Sequence, residues 1–259
     1  AAKKLSGESK TTGCIVGDAT FVAAKLVSIE VHTLVYAPLT SACQCTNESV
    51  VFLKTVSKMF TLLSGLWKYI SQRDEYYVLI LGLDNAGKTT YLEQTKTKFS
   101  KGYKALNPHK ITTTVGLNIG KIDIHGIRLN FWDLGGQDSL QSLWDKYYAE
   151  SHAVIYVVDS SNASRIDESK AAFAKMVGND ALHGVPILLV ANKQDISGCY
   201  SAAEIRQLFR ESSHLIGRRD CHLIGASALH GEGINEGIEW ITQCVKRNIL
   251  RPPRNSESL

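Results

Sequence analysis

The chain has 259 residues, 44% of them hydrophobic and 21% charged, with a formal net charge of +4. That composition can bury a sizeable core, in one large domain or in one domain with an appendage, and it excludes a disordered or fibrous chain. Lysine and arginine form no dense run and the six cysteines are scattered, so neither a nucleic-acid partner nor a disulfide or metal framework is expected.

Residues 1–58 show no clear period and are expected to be poorly ordered. "TFVAAKLVSIEVHTLVY" fits a strand pair or a short helix equally. The best candidate for a membrane span, Phe21–Leu39, carries Lys25, Glu30 and His32. A lysine at the centre of a span costs about 2.5–3.5 kcal/mol on insertion scales, so no span is expected, and no secretory signal. The pattern sharpens at Met59. Met59, Leu62, Leu63, Leu66, Trp67 and Ile70 follow the spacing of one helix face, which predicts an amphipathic helix over 59–73.

"YYVLILGL" (76–83) reads as a buried strand, and a helix follows it through about Phe99. Between them "GLDNAGKTT" (82–90) fits G-x-x-x-x-G-K-[ST] in the strand–loop–helix setting that the motif requires. The N–H groups of Asp84, Asn85, Ala86, Gly87, Lys88, Thr89 and Thr90 would wrap a β-phosphate at the positive end of the helix. Lys88 would pair with β- and γ-phosphate oxygens, and the Thr89 hydroxyl would ligate Mg²⁺. The motif alone does not separate ATP from GTP.

"ITTTVG" (111–116) precedes "LNIGKIDIHGIRLNFWDL" (117–134), which reads as two strands joined at His125-Gly126. Thr114 is the choice for a second Mg²⁺ hydroxyl, with Thr112 and Thr113 as close competitors. In "WDLGGQD" (132–138), Asp133 would hold Mg²⁺ through water, the Gly136 N–H would meet a γ-phosphate, and Gln137 would orient the attacking water. No arginine in cis stands out to supply the final positive charge: Arg128 falls on a strand and Arg165 beyond the fourth strand. Slow hydrolysis that needs an activating partner is therefore expected.

"AVIYVVD" (153–159), "PILLVAN" (186–192) and "DCHLIGAS" (220–227) read as three more strands, with helical patterns near 164–178, 202–212 and 234–249. Alternating strands and helices predict a six-stranded, mostly parallel sheet covered on both faces, with one antiparallel strand from the hairpin. "ANKQD" (191–195) follows the fifth strand. Asp195 can accept from the two adjacent N–H donors that guanine offers and adenine lacks. Asn192 would brace the phosphate loop, the Lys193 stem would lie over the ring, and in "ASAL" (226–229) Ser227 and the Ala228 N–H would lie at the base, the latter meeting guanine O6. An ATP-dependent kinase is the alternative, and Asp195 speaks against it. The expected divisions are an extension (1–58), the amphipathic helix (59–73), a nucleotide-binding domain (74–250) and a flexible tail (251–259).

GLDNAGKTT, TTVGLN, WDLGGQD, LWDKYY (143–148) and ANKQD, in this order and spacing, resemble the Arf family of small GTPases from Met59 through Arg254. The resemblance implies a Ras-like P-loop GTPase domain preceded by an amphipathic helix. It also implies a Mg²⁺-dependent switch that binds GTP and GDP, and that works with an exchange factor, an activating protein and effectors in Golgi vesicle traffic. A GTP-locked scaffold with negligible hydrolysis is the alternative. Trp144, Tyr147 and Tyr148 would form part of the effector surface, or else pack the core. The helix over 59–70 would leave the core for a membrane when the 117–134 segment slides on GTP binding. The expected location is the cytosol and the cytoplasmic face of Golgi and trans-Golgi membranes. Phe60 follows Met59 where the family typically has glycine, so myristoylation is excluded and a membrane receptor becomes a plausible second signal. Residues 1–58 lie outside the resemblance. They are expected to be translated upstream sequence or an alternative exon, with a regulatory appendage as the alternative.

Overall fold

The computed structural model describes residues 57–65, 73–104 and 106–254. The chain divides into two units, 1–66 and 67–259. The expectations for 1–56, and for the part of the amphipathic helix in 66–72, lie outside the described residues.

In the first unit, residues 57–65 form helix α1. It begins two residues before the expected start, and the Thr61 hydroxyl donates to the Ser57 carbonyl at 2.8 Å. Its apolar residues Met59, Phe60, Leu62 and Leu63 are exposed, at 57%, 56%, 74% and 60%.

The second unit is built on a six-stranded sheet in the order β2-β3-β1-β4-β5-β6. The strands are β1 (Glu75–Leu81), β2 (Leu117–Ile124), β3 (Ile127–Leu134), β4 (Ala153–Asp159), β5 (Ile187–Asn192) and β6 (Cys221–Gly225). All neighbours are parallel except β2 and β3, which turn at His125-Gly126 as expected. The central strands are apolar runs because both of their faces are covered. Val78 and Ile80 of β1 face a core shared with helices α2 (Lys88–Phe99) and α5 (Ile234–Arg247). Leu79 and Leu81 face the opposite core, with helices α3 (Ile166–Val177) and α4 (Ala202–Leu208). In α5, Ile234, Ile238, Ile241 and Val245 recur at helical spacing and are all buried. Edge strand β2 alternates instead, exposing Leu117 and Ile119 and burying Ile122 and Ile124.

Two expectations are corrected. The helix expected over 202–212 ends at Leu208 and continues as a 3₁₀ turn (Phe209–Ser212) and a short helix (Ser213–Ile216). Residues 251–254, expected to be loose, are pinned. Glu75 and Arg254 exchange backbone hydrogen bonds at 3.2 and 2.9 Å. The Arg251 guanidinium donates to the Ala149 and Ala181 carbonyls at 2.6 and 2.5 Å. Composition signals a loose tail, but backbone donors and acceptors left open at the start of β1 give this one partners.

Candidate functional site

The chain turns from β1 into α2 through a loop with positive φ at Gly82, Asn85 and Gly87, beside a cleft of about 200 Å³. A Cβ at Gly87 would lie 2.3 Å from Asn192 Nδ2, so the asparagine ending β5 demands glycine there. The buried Asn192 amide donates to the Ala86 carbonyl at 2.7 Å, and its Oδ1 accepts from the Ala228 N–H at 2.9 Å. One side chain thus ties the phosphate loop to the loop after β6. The Ala228 N–H, expected to be aimed at guanine O6, is therefore already engaged by Asn192.

Lys88 is buried at the N-terminus of α2, where Nζ donates to the Gly82 and Leu83 carbonyls at 2.9 and 2.7 Å. Burial pushes its pKa down to about 8, while the charges of Asp133 and Asp84 oppose that shift. A cation held among helix N-terminal N–H groups is a ready anion site.

Beside it, the Thr89 hydroxyl donates to Asp133 Oδ2 at 2.7 Å and lies 2.7 Å from the Thr114 hydroxyl. Thr112 and Thr113 are exposed at the cleft. Asn118 Nδ2 also donates to Asp133 Oδ2, at 3.3 Å, but the buried Oδ1 has no hydrogen-bond partner among the described residues. Burial raises the Asp133 pKa, and the Thr89 hydroxyl and the Lys88 charge counter it. A partnerless carboxylate oxygen beside two hydroxyls fits a hard cation that takes oxygen ligands. Among the described residues no group of three or more His, Cys, Asp or Glu forms a metal cage, so such a cation would depend on these hydroxyls.

Gly136 packs backbone against backbone: a Cβ there would lie 2.4 Å from both the Asp84 nitrogen and the Gly82 oxygen. Trp144 Nε1 holds the turn by donating to the Gly135 carbonyl at 3.0 Å. Gln137 is exposed at the start of the short helix Asp138–Gln141 and, unlike Gly136, does not line the cleft.

At the other end, exposed Asp195 accepts a hydrogen bond from the Ser227 hydroxyl at 2.5 Å. Lys193 has φ 65°, and its Nζ meets Asp159 Oδ2 at 2.6 Å. Asp159 was missed by the sequence reading. The signal is its place as the last residue of β4, in register with Asn192. Arg165, placed by the sequence only beyond the fourth strand, reaches the phosphate loop, because it donates to Asp84 Oδ1 at 2.8 Å. Pro108 and Ile111, also missed, line the cleft.

Of the two uses open to the aromatic residues, two of them take the core. Trp144 and Tyr148 are each only 2% exposed, because they fill the core beside Leu79 and Leu134. Tyr147 stays partly exposed, its ring 5.4 Å from that of Trp132, which lies 4.7 Å from Tyr77.

Residues 62–245 match the family described as "ADP-ribosylation factor family". The chain belongs to the Arf family of small GTPases. It is similar to "ADP-ribosylation factor-related protein 1" of Bos taurus, with 62% identity over 199 residues covering 77% of this chain and 99% of that protein. The Homo sapiens protein of the same description is 60% identical over the same shares. "ADP-ribosylation factor-like protein 3" of Saccharomyces cerevisiae is 43% identical over 197 residues, 75% of this chain and 98% of that one. Among solved structures, the Arl6 BBS3 small GTPase of Trypanosoma brucei with bound nucleotide analogue GppNp is similar at a TM-score of 0.59 and 30% identity. It covers 67% of this chain and 99% of that chain. Members of the Arf family bind guanine nucleotide, hydrolyse GTP and work with exchange factors, activating proteins and effectors.

Proposed function

We propose that this chain is a Mg²⁺-dependent GTP switch that docks on Golgi membranes in its triphosphate state and recruits effectors there. The observation that carries the reading is the meeting of Thr89, Thr114 and Asp133 beside Lys88, with the Gly136 backbone against the same loop. Thr89 and Thr114 would hold Mg²⁺ by their hydroxyls and Asp133 would hold it through water. The ion would supply charge neutralisation between the phosphates. Lys88 and the N–H groups from Asp84 to Thr90 bind and orient the phosphates. The Gly136 N–H senses the third phosphate, so the Thr114 and Gly136 segments order with the triphosphate and relax after hydrolysis. Gln137 orients water once the switch closes; its exposed position here fits a slow enzyme that an activating protein completes.

Asp195, aimed by Ser227, accepts from guanine and rejects adenine, which offers no matching donor pair. Asn192 braces the phosphate and base ends against each other. The amphipathic segment 59–70 supplies a membrane contact without a myristoyl chain, and a membrane receptor adds the second signal. Competition against a fluorescent GDP tests the core of the reading. GDP and GTP should compete below micromolar concentration and ATP should not, while Asp195→Asn should weaken guanine binding at least about tenfold. Equal competition by ATP overturns it.

A further inference from the structure

The charged cluster Asp84–Arg165–Glu168 lies on the flank of the phosphate loop, and no role above uses it. Arg165 ends the 3₁₀ turn Ala163–Arg165 that leads into α3. Its guanidinium donates to Asp84 Oδ1 at 2.8 Å and to the Asp84 carbonyl at 3.4 Å. On its other side it grips Glu168, in the first turn of α3, through two 2.8 Å hydrogen bonds. A planar fork engaged by two carboxylates has little freedom to turn.

Asp84 is the one acidic residue of GLDNAGKTT, and it lines the phosphate cleft. Its backbone nitrogen lies where a Cβ on Gly136 would collide, 2.4 Å away. Asp84 therefore stands at the end of the loop that the proposed function gives to the third phosphate. A carboxylate free to turn toward that end would repel a triphosphate more than a diphosphate.

We propose that Arg165 is a positioning residue that sets the preference for triphosphate over diphosphate. By holding the Asp84 carboxylate toward the first turn of α3, it keeps that charge off the γ-phosphate end of the cradle. The proposal rests on reading Gly136 as the γ-phosphate contact.

The test measures GTP and GDP affinities of the full chain by competition with a fluorescent GDP. Arg165→Gln should weaken GTP relative to GDP about tenfold, the order expected of like charges in a partly exposed cleft. High salt should shrink the effect. Adding Asp84→Asn to that variant should restore the original ratio. Arg165→Lys keeps the charge without the fork and should give an intermediate ratio; melting of the GDP-bound variants shows that each is folded. An unchanged ratio in Arg165→Gln overturns the proposal. So does a loss that persists in the double variant, or slower single-turnover hydrolysis at an unchanged ratio, since Arg165 would then not act through Asp84. Amide hydrogen exchange at Gly136 in the GDP-bound and GTP-bound chain separates the two levels. Protection gained only with GTP supports the γ-phosphate assignment. Equal protection with both nucleotides overturns that assignment, and the proposal with it.

Discussion

His152 is enclosed between β1 and the pinned C-terminal segment. Its Nδ1 accepts the Tyr77 N–H at 3.0 Å, and its Nε2 donates to the Pro252 carbonyl at 3.0 Å. This pattern requires the neutral ring, since a protonated Nδ1 cannot accept. Burial lowers its pKa, and the charges of Arg254 and Arg251 lower it further, against the hydrogen bond to the Pro252 carbonyl. The folded pKa therefore lies below the unfolded value of about 6.5. Stability from this group is fully present above that value. It is lost as pH falls through the unfolded pKa toward the folded one, because the unfolded chain binds the proton more tightly. Urea unfolding of the GDP-saturated protein from pH 7.5 down to 5 should show a steeper loss for the wild type than for His152→Gln. Parallel curves would refute this account. None of it is legible in the sequence, where His152 is one of eight scattered histidines.

Arg219 acts at the level of elements. Its guanidinium donates to the carbonyls of Val177 at 2.8 Å, Leu182 at 3.3 Å, Leu215 at 2.5 Å and Ile216 at 2.9 Å. The side chain thus staples the end of α3 and the turn after it to the Ser213–Ile216 helix, whose end leaves carbonyls without intrahelical partners. Arg219→Ala should cost about 1–3 kcal/mol, the penalty for buried polar groups left unmade. Arg219→Lys should recover only part of it, because an ammonium lacks the planar fork. Equal denaturation midpoints for the three chains would refute the staple. The strands were far more legible than this region: the hairpin turn at His125-Gly126 and the bounds of β4 follow from apolar runs and a glycine turn. The helical pattern over 202–212 breaks where Phe209 turns into the core, which is a matter of packing rather than period.

At the scale of the whole molecule, the exposed Leu62 and Leu63 of α1 belong to the stripe continued in sequence by Leu66, Trp67 and Ile70. Burying a large apolar side chain in lipid is worth roughly 1.5–3 kcal/mol, so the proposed membrane contact would be a reversible anchor. The double variant Leu62→Asp/Leu63→Asp should lose at least about tenfold in sedimentation of the GTP-loaded protein with vesicles, with nucleotide affinity unchanged. Undiminished sedimentation would refute the role of the helix.

The amino-acid sequence by itself determined the class of this protein, its strand order along the chain and the segments that converge on the cleft. Those properties are written in local periods and in glycines placed where backbone must approach closely. Only the tertiary structure decided which neighbours matter. It brought the Thr114 hydroxyl to within 2.7 Å of the Thr89 hydroxyl and left Thr112 and Thr113 exposed at the cleft, which no spacing in the chain records. It placed Trp144 and Tyr148 in the core and left Tyr147 partly exposed, since an aromatic serves either use until its surroundings exist. It brought Arg165 to Asp84 and Lys193 to Asp159, pairs far apart in the chain, because ion pairs depend on distances that no spacing in a sequence records.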